Sequence, residues 1–441
     1  MKQLNYKLLC PVCDSLFDDD GFLLACPQAH APALLTTRYS SRRFERDHKV
    51  ADLYRYQCWL PDAKRLAHAP MPVTYQSKAL SSFLSLPNLW IAFSGYWPER
   101  GAALETGTFK ELEVCGVLSR IPAQNFRTLV VASAGNTGAA FASSCSQNDI
   151  PCLVIVPAFG MSRMRFAEKL QPCVKIVSLT GGASYSDAIA LAELISREDG
   201  FICEGGVRNV GRRDGMATAM LNAVDTIGRL PDYYFQAIGS GAGAIAAHEA
   251  AKRLVVDSRF GSILPRLMLS QNAPFIPIYD SWKKGRRYFV PVAPEDAPAL
   301  TQKILAKVLS NQRPPYSITG GVFDVLQESH GDMFAVQNRE VVQAMRIFQK
   351  YEGIDLEPAA GVALASLIQA INSRAIDSVA TVLLHITGAG ARKRAAEKTL
   401  FATFPHIELP LADVYSPRAV ELACGLFAAK NALAYTASAR S

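Results

Sequence analysis

Short apolar runs recur along the chain from about residue 70, each bounded by turn residues and followed by an Ala-rich stretch. Leu89 to Phe93, Thr128 to Ala132, Cys152 to Val156, Val174 to Leu179, Phe201 to Glu204, Tyr233 to Ile238, Arg266 to Ser270 and Val379 to His385 read as strands. Helices are expected between them, from Gly138 to Ser144, from about Ser184, and after the glycine loop at 239–243. Strands alternating with helices build parallel sheets from βαβ units. Residues 1–65 differ, with a Cys-rich head followed by the charged stretch SRRFERDHK at 41–49. The segment 272–298, rich in Pro, Trp and basic residues, reads as a loop or surface excursion.

Composition narrows the class. The 441 residues suffice for two large domains or about three ordinary ones. With 49% hydrophobic residues the chain can bury a sizeable core. The charged fraction of 19% is low, which points to surface buried between subunits and to a homo-oligomer, a dimer first of all. A net charge of +7 suits small anionic ligands; the basic clusters at 41–49, 283–287 and 391–394 are scattered and lack interleaved aromatics, so nucleic acid is not expected. Lys7 interrupts what would be the apolar part of a signal peptide, and no run reaches about 18 apolar residues. Several of the ten cysteines sit in apolar runs, as reduced thiols do. A cytoplasmic protein without a membrane partner is expected.

Four motifs carry candidate chemistry. TGTFKELE at 106–113 places Lys110 at a helix start after a glycine turn. SAGNTG at 133–138 follows a strand directly; a turn of this kind aims backbone N–H groups at an anion, and an ordinary βα turn explains it equally. IGSGAGA at 238–244 lies between strand and helix, and its small residues let the backbone wrap a phosphate. It is a poor dinucleotide fingerprint, because no acid ends the following strand at 266–270. Finally, LLHITGAGARK at 383–393 ends a strand in Thr387. His248 and His385 read as packing residues.

In this order the motifs resemble the fold-type II pyridoxal 5'-phosphate (PLP) enzymes, the superfamily of threonine synthase, cysteine synthase and the tryptophan synthase β chain, over roughly 70–395. The resemblance implies two three-layer αβα domains with mainly parallel sheets, the cofactor held between them, and an N-terminal arm. The expected division is an arm at 1–65, a large PLP-binding domain from 66–110 and 215–441, and a small domain at 111–214. It also implies roles. Lys110 matches the cofactor lysine and Asn136 the partner of the cofactor's ring hydroxyl. Gly239, Ser240, Gly241, Ala242 and Gly243 match the phosphate loop. Thr387 matches the hydroxyl facing the pyridine nitrogen. Ser133, Ala134, Gly135 and Thr137 match the loop for the substrate carboxylate.

Within the superfamily, three segments resemble the cysteate synthase branch: CPVC with LLACPQAHAPALL near the start, SGYWPERG at 94–101 and EGGVRNVGRRDGM at 204–216. That branch makes L-cysteate from O-phospho-L-serine and sulfite by β-replacement. Arg208, Arg212 and Arg213 would then meet phosphate and sulfonate oxygens, for which guanidinium forks are suited; a surface basic cluster is the plain reading. Two departures set the chain apart from threonine synthases, which usually read SFKDR where TFKEL stands here and often carry Asn in the loop that reads GSGAGA. Threonine synthase remains the nearest alternative, and O-phosphohomoserine is the substrate it would require. A sulfhydrylase differs only in the nucleophile, and an anion- or nucleic-acid-binding protein without activity is the remaining alternative. In the head, Cys10, Cys13, Cys26 and His30 stand in near-zinc-ribbon order, with Asp14 where such knuckles carry Gly. A structural Zn²⁺ and a degenerate ribbon packed without metal both fit; the expectation carried forward assigns no metal.

Overall fold

The run Cys152–Pro157 is buried at every position, as befits the central strand of a sheet covered on both faces. It pairs in parallel with Thr128–Ala132 on one side and Val174–Thr180 on the other. Phe201–Cys203 and Ile407–Pro410 complete a five-stranded sheet as its edges, again in parallel. Helices fill the connections: Asn136–Gln147, and Tyr185–Ile195, which opens on a capping box in which Ser184 and Asp187 satisfy each other's backbone N–H.

A computed structural model describes residues 4–124, 127–133 and 135–427. The described residues within 123–205 and 399–441 make one compact unit around that sheet, and those within 1–122 and 206–398 make the other. The larger unit holds a six-stranded sheet in the order Asp332–Val336, Arg266–Asn272, Tyr233–Ala237, Val382–Ile386, Leu89–Phe93, Val73–Gln76. Every pairing is parallel except the last. Mixed α/β architecture with mainly parallel sheets is as expected.

The division differs from the expected one in three places. Residues 399–427 leave the large domain, because Ile407–Pro410 adds to the edge of the smaller sheet through Val177 and its neighbours. The helix Lys110–Arg120 belongs to the larger unit, as does the stretch 206–214. The residues of 1–65, expected as a separate arm, are part of the larger unit. Leu16–Phe17, Tyr6–Leu9 and Thr36–Tyr39 form a small antiparallel sheet, and Tyr6, Leu8, Phe44 and Trp59 are buried in the core of the larger unit. The stretch 272–298 also holds more order than a loop. Pro277–Lys283 is a helix with proline in its first turn, and Gln271 Oε1 accepts from the N–H groups of Ile278 and Tyr279.

One packing relationship positions the lysine. The helix Lys110–Arg120 lies against Val210–Ile227 so closely that backbone touches backbone. A Cβ on Gly116 would stand 2.0 Å from the Gly211 carbonyl oxygen, and one on Gly215 2.1 Å from that of Leu112. Only glycine permits this approach. Val210–Ile227 is itself well bounded, by an Asn209 side chain accepting from the Gly211 N–H and by Gly228 at φ +82.

Candidate active site

Lys110 opens its helix immediately after the turn Gly107–Phe109, in which Gly107 takes φ +70. That turn is stitched to the end of the strand Val382–Ile386. The Phe109 N–H donates to the Thr387 carbonyl at 3.0 Å, and the Ala389 N–H donates to the Gly107 carbonyl at 3.2 Å. Gly243, at the start of the helix Ala242–Asp257, faces the same turn. A Cβ there would meet Phe109 Cε2 at 3.0 Å and Gln236 Nε2 at 2.5 Å. Three motifs separated by more than a hundred residues thus converge on Phe109.

The Lys110 ammonium sits 4.7 Å from the Phe109 ring centroid and donates to Glu113 Oε2 at 2.9 Å. Glu113 is fully buried, and its other oxygen accepts from Arg212 at 2.7 Å. Sequence reasoning missed Glu113. The signal was its i+3 spacing from Lys110, which puts both side chains on one helix face. Glu111 is also buried. It accepts from the Thr106 hydroxyl at 2.7 Å and from the backbone N–H groups of Glu105 and Thr106, bracing the turn before the lysine. Burial raises its carboxyl to about 7 against these hydrogen bonds. The Thr108 hydroxyl is buried without a hydrogen-bond partner among the described residues, two positions before Lys110.

In the glycine loop, Gly239 and Ser240 are half-buried, whereas Gly241, Ala242 and Gly243 are buried. Gly241 takes φ +84, and a Cβ on it would lie 2.3 Å from Val322 Cγ2, so the loop admits no side chain there. The Ser240 hydroxyl accepts from the Ala242 N–H at 3.3 Å. Thr387 is buried at the strand end. His385, two residues earlier, is held by the Tyr234 hydroxyl at 2.7 Å and the Ser94 hydroxyl at 3.2 Å. Burial lowers its pKa to about 3, so it stays neutral, the core histidine expected. His248 packs with its Nε2 2.9 Å from Glu328.

In the smaller unit, the turn after Thr128–Ala132 is built around Ser133. Its hydroxyl accepts from the N–H groups of Gly135 at 2.9 Å and Gly138 at 2.7 Å, and the residue is buried. Ser133 therefore holds the turn, and its own O–H remains a donor. Gly135, at φ +141, is buried against Arg163 Cγ, which a Cβ would meet at 2.9 Å. Asn136 and Thr137 are half-exposed in the first turn of the helix. The expectation for Ala134 lies outside the described residues.

The three arginines part company. Arg208 is exposed on a short 3₁₀ turn, and Arg212 is buried on Glu113. Arg213, expected at the substrate, is turned inward: its Nε donates to Glu249, and its other two nitrogens donate to the carbonyls of Val207 and Leu35. Adjacent helix residues point about 100° apart, and here that sends Arg212 toward Glu113 and Arg213 toward Glu249.

The residues of the larger unit fit PLP. They offer a primary amine, an unpartnered buried hydroxyl on Thr108, and a small-residue loop at a helix start, whose first-turn N–H groups a helix leaves without internal partners. Comparison with known proteins agrees. Residues 96–388 match the pyridoxal-phosphate dependent enzyme family. The chain is 41% identical over 411 residues to a cysteate synthase of Methanosarcina acetivorans, covering 93% of this chain and 94% of that one. It is 45% identical over 404 residues to a cysteate synthase of Methanoregula boonei, covering 91% and 94%.

The chain belongs to the cysteate synthase family of PLP-dependent enzymes.

Among solved structures, maize serine racemase superposes with a TM-score of 0.54 at 14% identity, over 72% of this chain and 88% of that one, which shows the shared fold. PLP is the cofactor of this family member, and the fold is that of the fold-type II enzymes. Among the described residues no helix is long and apolar enough to cross a membrane.

Proposed function

We propose that this enzyme replaces the phosphate of O-phospho-L-serine with sulfite, giving L-cysteate and phosphate. The observation that carries the reading is the convergence on Phe109, where the lysine turn bonds to the Thr387 strand end and packs against the glycine loop. Family membership supplies the substrate class.

PLP, when bound, withdraws the electron density that builds at the substrate Cα, which makes loss of the β-substituent feasible. The chain does the rest. Lys110 anchors the cofactor, then takes the Cα proton and later returns it to the same carbon. The β-carbon–oxygen bond breaks with its electron pair leaving on phosphate, and a sulfite lone pair forms the new carbon–sulfur bond at that carbon. Gly239 to Gly243 hold the cofactor phosphate through backbone N–H groups and the positive end of the helix. Thr387 meets the pyridine nitrogen with a neutral hydroxyl, which leaves that nitrogen without the charge a carboxylate would enforce and so favours β-replacement over transamination. The Thr108 hydroxyl is a further polar contact for the bound molecule. By the family resemblance, Asn136 would serve the ring hydroxyl, and the Gly135 to Thr137 turn the substrate carboxylate. Arg208 and Arg212 are the cations for phosphate and sulfite. None of the ten cysteines is in a disulfide, which suits a reducing cytoplasm.

The test is to supply the purified holoenzyme with O-phospho-L-serine and sulfite and to follow cysteate by mass spectrometry alongside phosphate release. Cysteate formed at the rate of phosphate release is the expected result. Turnover of O-phosphohomoserine in place of phosphoserine, or sulfide accepted and sulfite refused, would overturn the reading.

A further inference from the structure

The N-terminal sheet brings four soft ligand atoms together. Cys10 follows the strand Tyr6–Leu9, Cys13 lies in the turn to Leu16–Phe17, and Cys26 and His30 lie in the long connection to Thr36–Tyr39. Their three sulfurs and one ring nitrogen all lie within 4.8 Å of one another. Cys10 Sγ stands 3.3 Å from His30 Nε2, and Cys13 Sγ stands 3.7 Å from Cys26 Sγ. A tetrahedral zinc site, with Zn–S of about 2.3 Å and Zn–N of about 2.0 Å, has S···S edges of about 3.8 Å and S···N edges of about 3.5 Å. The Cys10–His30 and Cys13–Cys26 separations lie close to those edges, and the sulfur pair is far outside the roughly 2.05 Å of a disulfide.

Two details prepare the group for a cation. His30 Nδ1 lies 2.7 Å from the Ala31 carbonyl, a bond only its N–H can make, so the lone pair stays on Nε2, the atom facing Cys10. The turn between the first two cysteines also has the shape a metal knuckle needs. Asp14 takes the left-handed conformation, φ +54, at the position where Gly was expected, and aspartate is one of the few other residues that tolerates it. Its N–H donates to the Cys10 carbonyl, and the Cys10 N–H to the Ser15 carbonyl, each at 3.0 Å. The departure at Asp14 that favoured a metal-free ribbon is therefore accommodated by the backbone.

We propose that Cys10, Cys13, Cys26 and His30 bind one Zn²⁺ as a closed, structural site. Four protein ligands fill the tetrahedron and leave no position for a substrate. The site has a reason to exist in this fold. The connection it ties down also carries Asp19 and Leu23, and these grip Arg120, the last residue of the lysine helix. Asp19 accepts two bonds from the Arg120 guanidinium, both at 2.7 Å, and the Leu23 carbonyl accepts a third at 2.8 Å. Zinc would thus fix a loop that holds the far end of the helix opening with Lys110.

The measurement is metal content of the holoenzyme, purified without chelator or a metal-binding tag from cells grown with added zinc. About one zinc per chain is expected, falling to about a tenth or less in Cys13→Ser and Cys26→Ser. Cells grown with cobalt provide a check that needs no variant: the wild-type protein should show the intense visible bands of tetrahedral Co²⁺ with thiolate ligands. PLP bound per chain, read from visible absorbance, should stay near one in any folded variant. Zinc below about a tenth per chain in the wild type, zinc retained in both variants, or an octahedral cobalt spectrum would each overturn the assignment.

Discussion

Glu113 accepts a hydrogen bond from the Lys110 ammonium at 2.9 Å, one turn further along the same helix, while its second oxygen is held by Arg212. One buried carboxylate thus ties Lys110 to a cation from a different helix. Breaking a buried ion pair from one side leaves the other charge stranded. Glu113→Ala is expected to lower unfolding free energy by about 3–5 kcal/mol. Glu113→Gln, which keeps one acceptor oxygen but turns an NH2 donor toward the other cation, should cost somewhat less because the volume is retained. Urea unfolding monitored by tryptophan fluorescence measures both; a loss no larger than that of a surface substitution would show that the pair is incidental.

Lys110→Ala should cut phosphate release from O-phospho-L-serine by about 10²–10⁴-fold or more, since it removes both the proton carrier and the anchor for PLP. The purified variant should also lose the visible absorption of lysine-bound cofactor. Normal colour with normal turnover would place the chemistry elsewhere.

Glu111 gives a pH dependence whose sign can be worked out. Its carboxyl is raised from 4.5 to about 7, chiefly by burial. The folded state therefore holds a proton that the unfolded state has already released between those values. Stability from this group is complete below about 4.5, declines as pH rises towards 7, and is flat above it. Glu111→Gln should flatten the unfolding midpoint across this window, as a set of denaturation curves from pH 5 to 8 would show.

The contact between the lysine helix and Val210–Ile227 allows no extra atoms. Gly116→Ala would push a methyl group into the Gly211 carbonyl, and overpacking of this kind costs about 1–3 kcal/mol or more. Because Lys110 and Arg212 ride on the two helices, PLP retention on dialysis should fall as well. A variant with unchanged melting temperature and unchanged cofactor content would contradict the tight crossing.

Arg208 and Arg213 should separate cleanly. Arg213→Ala strands Glu249 and two carbonyls in a buried place and should cost about 3–5 kcal/mol in stability. Arg208→Ala, at an exposed position, should change stability by no more than about 0.5 kcal/mol and instead raise the KM for phosphoserine. Calorimetry and steady-state kinetics on the two proteins distinguish the cases; matching profiles would return both to a single surface cluster.

Much of this molecule is local, and the local part was open to reading in the chain. The strands at 89–93, 128–132, 152–157 and 174–180 are short apolar runs with clear ends, and burial on both faces of a parallel sheet leaves that signature. The helix after Ser184 is announced by its capping box. Lys110, the glycine loop and Thr387 were singled out because each is a short motif in a known order, and the first and last even share backbone bonds. Whatever depends on direction in space was decided by tertiary structure. Ile407–Pro410 looks like any edge strand, and only the free side of Val174–Thr180 determines that it joins the smaller unit. The motif put Ser133 in a ligand-binding turn, and only the folded turn shows its hydroxyl accepting from the N–H groups of Gly135 and Gly138. Arg212 and Arg213 are neighbours in sequence and strangers in the fold, because the helix rotates one toward Glu113 and the other toward Glu249. The four ligands in the N-terminal segment show both levels: spacing named them, and only a folded connection of known path brings Cys26 and His30 back to Cys10 and Cys13. Pattern along a chain records which residues are buried and how the backbone runs for a few positions; which groups meet is set by the packing of distant segments, on which local pattern is silent.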